Sequence, residues 1–280
     1  MRLGDAPESG NFEDRTGQSG GGGGGLGGGM LGLLLPLIAS RFGIVGVLIL
    51  GLGYCALSSM GGLGGGGSPT KIGESKLTPE QQQVLSRVHG SAEQIWAQIF
   101  QQAGAQYRST RLVVYSNASQ SGCGSAQAAM GPFYCPTDES IYIDPAFFDE
   151  LARRFQAPGD AAQAYVIAHE VGHHIQKLEG TLNRAQAAQA RAGTAQGNAV
   201  QVGVELQADC YAGVWAKRSG LLEAGDIEEG MRAAEAIGDD MLTKGQVSPD
   251  NFTHGTSAQR QEALNRGLST GNPAQCNYAR

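Results

Sequence analysis

The segment His169-Glu170-Val171-Gly172-His173 reads H-E-x-x-H and continues an apolar run, Ala164-Tyr165-Val166-Ile167-Ala168. Four residues make about one helical turn, so in a helix the two imidazoles stack on one face and converge on one point. Two neutral imidazoles so placed are half of a zinc site, and Glu170 beside them can take a proton from water at the metal. A catalytic site of this kind needs one carboxylate more and leaves its fourth position to water. Glu205-Leu206-Gln207-Ala208-Asp209 offers two, again four residues apart on one helical face. Glu205 is the expected third ligand. Asp209 is the expected partner for the second ring nitrogen of a ligand histidine, which metal-bound imidazoles need. The exchanged assignment, with Asp209 on the metal and Glu205 behind it, stays open. His174 sits about 100° off the ligand face and is expected to be structural or to line the site.

These side chains need two helices that pack against each other. The 32 residues from His173 to Glu205 leave room for the end of one helix, a turn and an antiparallel return. Asp160 with Gln163 is the expected cap of the first, which runs to about Leu178; residues 200–219 form the second. Between them, 181–200 is Ala/Gln-rich and reads as an exposed helix or a partly ordered loop. Upstream, Thr78-Pro79-Glu80-Gln81 is a helix start, with Thr78 as N-cap, Pro79 first in the helix and Gln81 closing a capping box. Val84, Leu85, Val88, Ile95, Trp96 and Ile99 carry that helix to about residue 102, and His89 on it is expected to be solvated or packed against a partner. Leu112 to Tyr115 and Ile141 to Ile143 read as strands, with a loop over 116–136 between them. Asp144-Pro145 starts a helix through Phe155. Further helices are expected from Ala224 to Thr243, where acidic first turns suit the helix dipole, and from Thr256 to about Leu268.

Ala168-His169-Glu170-Val171-Gly172-His173-His174-Ile175-Gln176 and Glu205-Leu206-Gln207-Ala208-Asp209-Cys210-Tyr211-Ala212-Gly213-Val214-Trp215 together resemble a bacterial family called "putative neutral zinc metallopeptidase". Gly131 to Pro136, His254-Gly255-Thr256 followed by Arg260, and a glycine-rich N-terminal stretch with one apolar span resemble its pattern too. Met1 to Gly4 and Asp14 to Gly17 follow its basic N-terminus only loosely. The resemblance implies a membrane-anchored zincin with zinc as its metal and a glutamate as third ligand. In zincin folds an edge strand beside the active helix pairs with extended substrate; 141–143 or Gly131 to Tyr134 is the candidate.

Forty-four glycines in 280 residues are too many for a uniformly packed chain, and they cluster near the N-terminus. A net charge of −6 argues against nucleic acid as a partner. Phe42 to Met60 is nineteen residues without a charge, enough to span a bilayer. A cleaved signal peptide would instead need a basic start and an apolar core near residue 1. The expected architecture is α+β: residues 1–41 a disordered Gly-rich segment, 42–60 one transmembrane helix, 61–77 a flexible linker, and 78–280 a mainly helical, zincin-like metallopeptidase domain with a small sheet. Cys55 falls inside the predicted span. The other four cysteines allow three pairings, of which 123–135 and 210–276 are preferred. Two bridges would place the domain outside the cytosol, giving a single-pass protein of the bacterial cell membrane with its C-terminal domain periplasmic or extracellular.

The expected reaction is hydrolysis of a peptide or protein substrate. His169, His173 and Glu205 hold Zn2+, Glu170 is the general base, Asp209 orients a ligand histidine, and His254 donates to the oxyanion, with Arg260 and Tyr211 as rival donors. The alternative is a membrane-tethered interaction protein without catalysis, in which zinc only knits two helices together.

Overall fold

The computed structural model describes residues 1–18 and 74–279. The fold is mainly helical with one small mixed sheet, in line with the α+β expectation. Four strands make the sheet: β1 (Phe12–Asp14), β2 (Arg111–Val114), β5 (Phe133–Cys135) and β6 (Ser140–Ile143), in the order β1-β2-β6-β5. The first three in that order run parallel, and β5 returns antiparallel to β6 at the edge. The predicted loop at 116–136 is more ordered than expected. It contains a hairpin, β3 (Ala118–Ser121) and β4 (Gly124–Gln127), as well as β5. Cys123 is bonded to Cys135, so the hairpin turn is tied to the edge strand.

The helices in chain order are α1 (Pro79–Gln102), α2 (Ala146–Arg154), α3 (Asp160–Leu178), α4 (Thr181–Gln189), α5 (Thr194–Ser219), α6 (Asp226–Ala236), α7 (Asp239–Leu242) and α8 (Ser257–Thr270). The capping box at the start of α1 forms as predicted, and Thr256 with Gln259 makes a second one at α8. α2 begins at Ala146, one residue later than expected. The stretch after Leu178 is helical almost throughout, as α4 and then an α5 that starts six residues before the predicted 200. The single helix predicted over 224–243 is two, α6 and α7, because Gly238 adopts an extended conformation between them. Asp160 does not cap α3. The N-cap is Gly159 without a side-chain bond, and Asp160 instead accepts from the Met1 ammonium at 2.9 Å.

α3 and α5 lie against each other in the middle of the molecule, with α1 and the sheet on one side and α6 and α8 on the other. From Val204 to Trp215 every residue of α5 is buried, so this stretch of the helix is enclosed on all its faces. Leu85, Val88 and Trp96 of α1, Leu112 and Ile141 of the sheet, and Ile167, Val171 and Ile175 of α3 fill one continuous core. Each such side chain contributes roughly 1.5–3 kcal/mol on leaving water.

The N-terminal expectation needs correction. Residues 1–18 are not structureless: Leu3 and Ala6 enter the core, β1 completes the sheet edge, and Ser9 bonds His89 Nδ1 at 2.8 Å. His89 is thereby fully buried, and burial pushes its pKa down to about 3. The predicted span at 42–60, Cys55, and the linker as far as residue 73 lie outside the described residues, and among the described residues no helix is long and apolar enough to cross a membrane. Lys76 N–H donates to Thr16 Oγ1 at 2.9 Å. The chain therefore leaves the described body and returns to it at adjacent points.

Candidate metal centre

His169 and His173 come from the middle of α3, one turn apart, with ring centroids 4.7 Å apart. Glu205 reaches them from α5. Its Oε2 lies 3.2 Å from His169 Nε2 and 3.7 Å from His173 Nε2. One ligand atom from each of the three side chains falls within 4.8 Å of the others. The helices can come this close because residue 172 is glycine: a Cβ there would stand 3.0 Å from Ala208 Cα and 3.0 Å from its carbonyl oxygen. Ala208 sits between Glu205 and Asp209, so the contact that needs no side chain is the one that sets the carboxylates opposite the histidines.

The donor set suits zinc: two imidazole nitrogens and one carboxylate, all but sealed from solvent, with His173 the most open at 14%. Burial alone would lower the pKa of His169, but Asp209 and Glu205 outweigh it and raise it to about 9. Burial would raise Glu205, yet the positive charge of His173 and hydrogen bonds from both histidines hold it well below the carboxylate range. A divalent cation satisfies the same carboxylate in place of those protons. Glu170 is buried beside the cluster, and its Oε2 has no hydrogen-bond partner. Burial pushes its carboxyl up, against the pull of His173 and His169.

Behind the cluster, Asp209 is fully buried and collects four bonds. His169 Nδ1 lies 2.8 Å from Oδ1, Tyr165 Oη donates to Oδ1 at 2.6 Å, and Arg260 donates from Nε to Oδ2 and from Nη2 to Oδ1, each at 2.9 Å. A carboxylate flanked by an arginine only accepts, so Nδ1 of His169 carries the hydrogen and Nε2 faces Glu205. The arrangement thus favours Glu205 in the cluster and Asp209 behind it, the first of the two assignments left open by the sequence.

Arg260 and Tyr211 are not positioned as oxyanion donors. Arg260 is spent on Asp209 in the interior, and Tyr211 donates to Glu179 at 2.7 Å with its ring against Trp96. His174 bonds Tyr134 Oη at 3.0 Å and the Arg108 carbonyl at 2.6 Å, a structural role. His254 lies in the loop before α8, its Nδ1 3.1 Å from Asp239 Oδ1, while the backbone N–H groups of Thr253, His254 and Gly255 all donate to Asp239 Oδ2. This loop runs against the turn of α5 that carries Glu205, since a Cβ on Gly255 would stand 3.2 Å from Val202 Cγ1. A positive His254 is among the charges that lower Glu205.

Sequence reasoning missed three members of this region. Tyr165 is one turn before His169, a spacing that could have drawn notice. Gln176, three residues after His173, places its Oε1 2.9 Å from His173 Nδ1. Gln207 lies between Glu205 and Asp209 and bonds Gln176; nothing in its local sequence distinguishes it from a surface glutamine. A second acidic group, Asp160, Asp226 and Glu229, gathers near the Met1 ammonium, which lies 3.5 Å from Asp226.

A family model described as "Putative neutral zinc metallopeptidase" matches residues 1–279. Over 293 residues the chain is 43% identical to a protein of Escherichia coli strain K12 called "Uncharacterized protein YpfJ", spanning 99% of this chain and 98% of that one. Over 188 residues it is 42% identical to an "Uncharacterized protein" of Mycobacterium tuberculosis strain H37Rv, spanning 61% of this chain and 62% of the relative. No solved structure matches it.

Proposed function

Because the chain belongs to the "Putative neutral zinc metallopeptidase" family, we propose that it is a zinc-dependent peptidase in which His169, His173 and Glu205 hold the metal and Glu170 is the general base. The observation that carries this reading is Glu170, a buried carboxylate beside the cluster with an unpartnered oxygen. Leaving a buried acceptor unsatisfied costs about 1–3 kcal/mol or more, a cost that a metal serving only to join helices gives no reason to bear.

Zinc, when bound, supplies a Lewis acid that acidifies water and polarises the scissile carbonyl. Glu170 takes the proton of the attacking water and delivers it to the leaving amine. Its raised pKa suits a group that must hold the proton between the two transfers. Asp209 fixes His169 so that Nε2 presents its lone pair to the metal. His254, oriented by Asp239, is the proposed donor to the oxyanion. β5 pairs with β6 on one side and lies against α3, so its other edge can take an extended peptide by strand addition. That favours Gly131 to Tyr134 over 141–143 as the substrate strand, and a peptide or protein as substrate. The two disulfides favour an oxidising compartment, periplasmic or extracellular; membrane attachment through 42–60 stays part of the proposal.

The reading of the zinc as merely structural would require a fourth protein ligand. His174, the neighbouring imidazole, is engaged at both ring nitrogens. The test is hydrolysis of a diverse peptide pool by the zinc-loaded full chain beside Glu170→Gln. The parent should cleave; the variant should keep its zinc and lose activity by about 10²–10⁴-fold. Undiminished turnover in the variant would remove Glu170 from the role of base.

A further inference from the structure

A row of buried amides joins His173 to the C-terminal tail. Gln176 Oε1 lies 2.9 Å from His173 Nδ1. Gln176 Nε2 donates to the Val204 carbonyl at 2.7 Å and to Gln207 Oε1 at 3.0 Å. Gln207 Nε2 donates in turn to the Cys276 carbonyl at 2.9 Å. Gln176 is fully buried and Gln207 is 7% exposed, so water does not compete for these groups. Cys276 is bonded to Cys210 of α5, and the tail beyond it lies on the same helix. A Cβ on Gly203 would come within 2.7 Å of the Tyr278 carbonyl oxygen, so α5 has a glycine where the tail passes.

The row has a direction. A backbone carbonyl only accepts, so Gln207 must turn its NH2 toward Cys276 and its oxygen toward Gln176. The Val204 carbonyl and that oxygen both demand the NH2 of Gln176, whose oxygen is then left for His173. An oxygen at Nδ1 requires Nδ1 to carry the hydrogen, which leaves the lone pair on Nε2, the nitrogen facing Glu205. His169 obtains the same result from Asp209, which needs no orienting because both its oxygens accept. An amide can flip, and a flipped Gln176 would offer His173 a donor and favour the wrong tautomer.

We infer that the C-terminal tail is a working part of the metal site: the Cys276 carbonyl, through Gln207, reinforces the Val204 carbonyl in fixing Gln176, and so the orientation and tautomer of His173. Gln176 and Gln207 are positioning residues, and the Cys210–Cys276 bond holds the end of the row in place. The inference rests on the reading of His173 as a metal ligand.

The test compares full-length wild type with Gln207→Met, which keeps the disulfide and side-chain length but removes both polar atoms. Zinc affinity is measured by competition with a chelator, and solvent exchange of the Nδ1 protons of His173 and His169 by NMR of the zinc-loaded proteins. Zinc binding is expected to weaken, by less than the roughly 10–100-fold that loss of a direct partner of a ligand histidine costs, with faster exchange at His173 and none of this acceleration at His169, the internal control for general loosening. Replacing Cys210 and Cys276 together by serine is expected to change His173 in the same sense. Wild-type affinity in Gln207→Met, equal acceleration at both histidines, or an unchanged His173 in the serine pair would overturn the inference while leaving the metal site standing. A wild type that binds no zinc would overturn the metal-site reading itself, and this inference with it.

Discussion

The two histidines of the cluster are held by different means, and the difference has consequences for the proposed metal site. His169 leans on a charge: Asp209, buried and neutralised by Arg260. His173 leans on a neutral amide, Gln176. Removing the charge should therefore be felt first at His169. Asp209→Asn leaves the shape nearly unchanged but permits either tautomer and leaves Arg260 without its counter-ion. The expected outcome is zinc affinity lower by about 10–100-fold, measured by chelator competition; affinity equal to wild type would mean that Asp209 does not orient the ligand. The H-E-x-x-H and E-x-x-x-D spacings were enough to find the four side chains that carry this arrangement, since a one-turn separation on a helix brings residues together whatever else the fold does. Arg260 was expected as a rival oxyanion donor, and instead it binds Asp209. Its distance in sequence from Asp209 hides a contact that exists only because α8 packs on α5.

At the scale of elements, the critical event is the approach of α3 to α5 at Gly172 and Ala208. Gly172→Ala would drive a methyl into the facing backbone, and the helices must separate or shift. The account predicts a loss of about 1–3 kcal/mol in unfolding free energy, read by denaturant titration, together with weaker zinc binding, because Glu205 rides on the displaced helix. A variant of wild-type stability and affinity would contradict that close approach. The capping box at Thr78 was readable because the cap is a local device, and the helix start at Thr256 was read without its box. The 116–136 hairpin and the break at Gly238 were not, because polar hairpins lack the apolar alternation that marks a strand, and one extended glycine among good helix formers gives little warning. The cap assigned to Asp160 failed for a tertiary reason: its carboxylate is engaged by the Met1 ammonium, a group far away in sequence.

Among the described residues, the first eighteen close the body of the fold. β1 covers the edge of β2, and Thr16 and Lys76 meet, so residues 1–18 belong to the same body as 74–279. The sequence suggested otherwise, because these eighteen residues adjoin a glycine-rich run and were read together with it. The described body therefore includes residues 1–18 beside the 78–280 domain that the sequence suggested. Joining residue 18 to residue 74 through a short Gly/Ser linker should preserve thermal stability and zinc binding, whereas removing residues 1–18 should lower the melting temperature by several degrees, each 1 kcal/mol being worth about 2–4 °C in a domain of this size. Equal melting of the two shortened chains would contradict the role given to β1.

The central claim is that two histidines of α3 and one glutamate of α5 together hold a zinc ion. The most direct measurement is the zinc content of the purified full-length chain after dialysis against metal-free buffer, beside Glu205→Ala treated in the same way. The account predicts one zinc per wild-type chain, as expected of a His2Glu site, and little or none in the variant. Full occupancy in Glu205→Ala, or a wild type that retains no zinc, would contradict it.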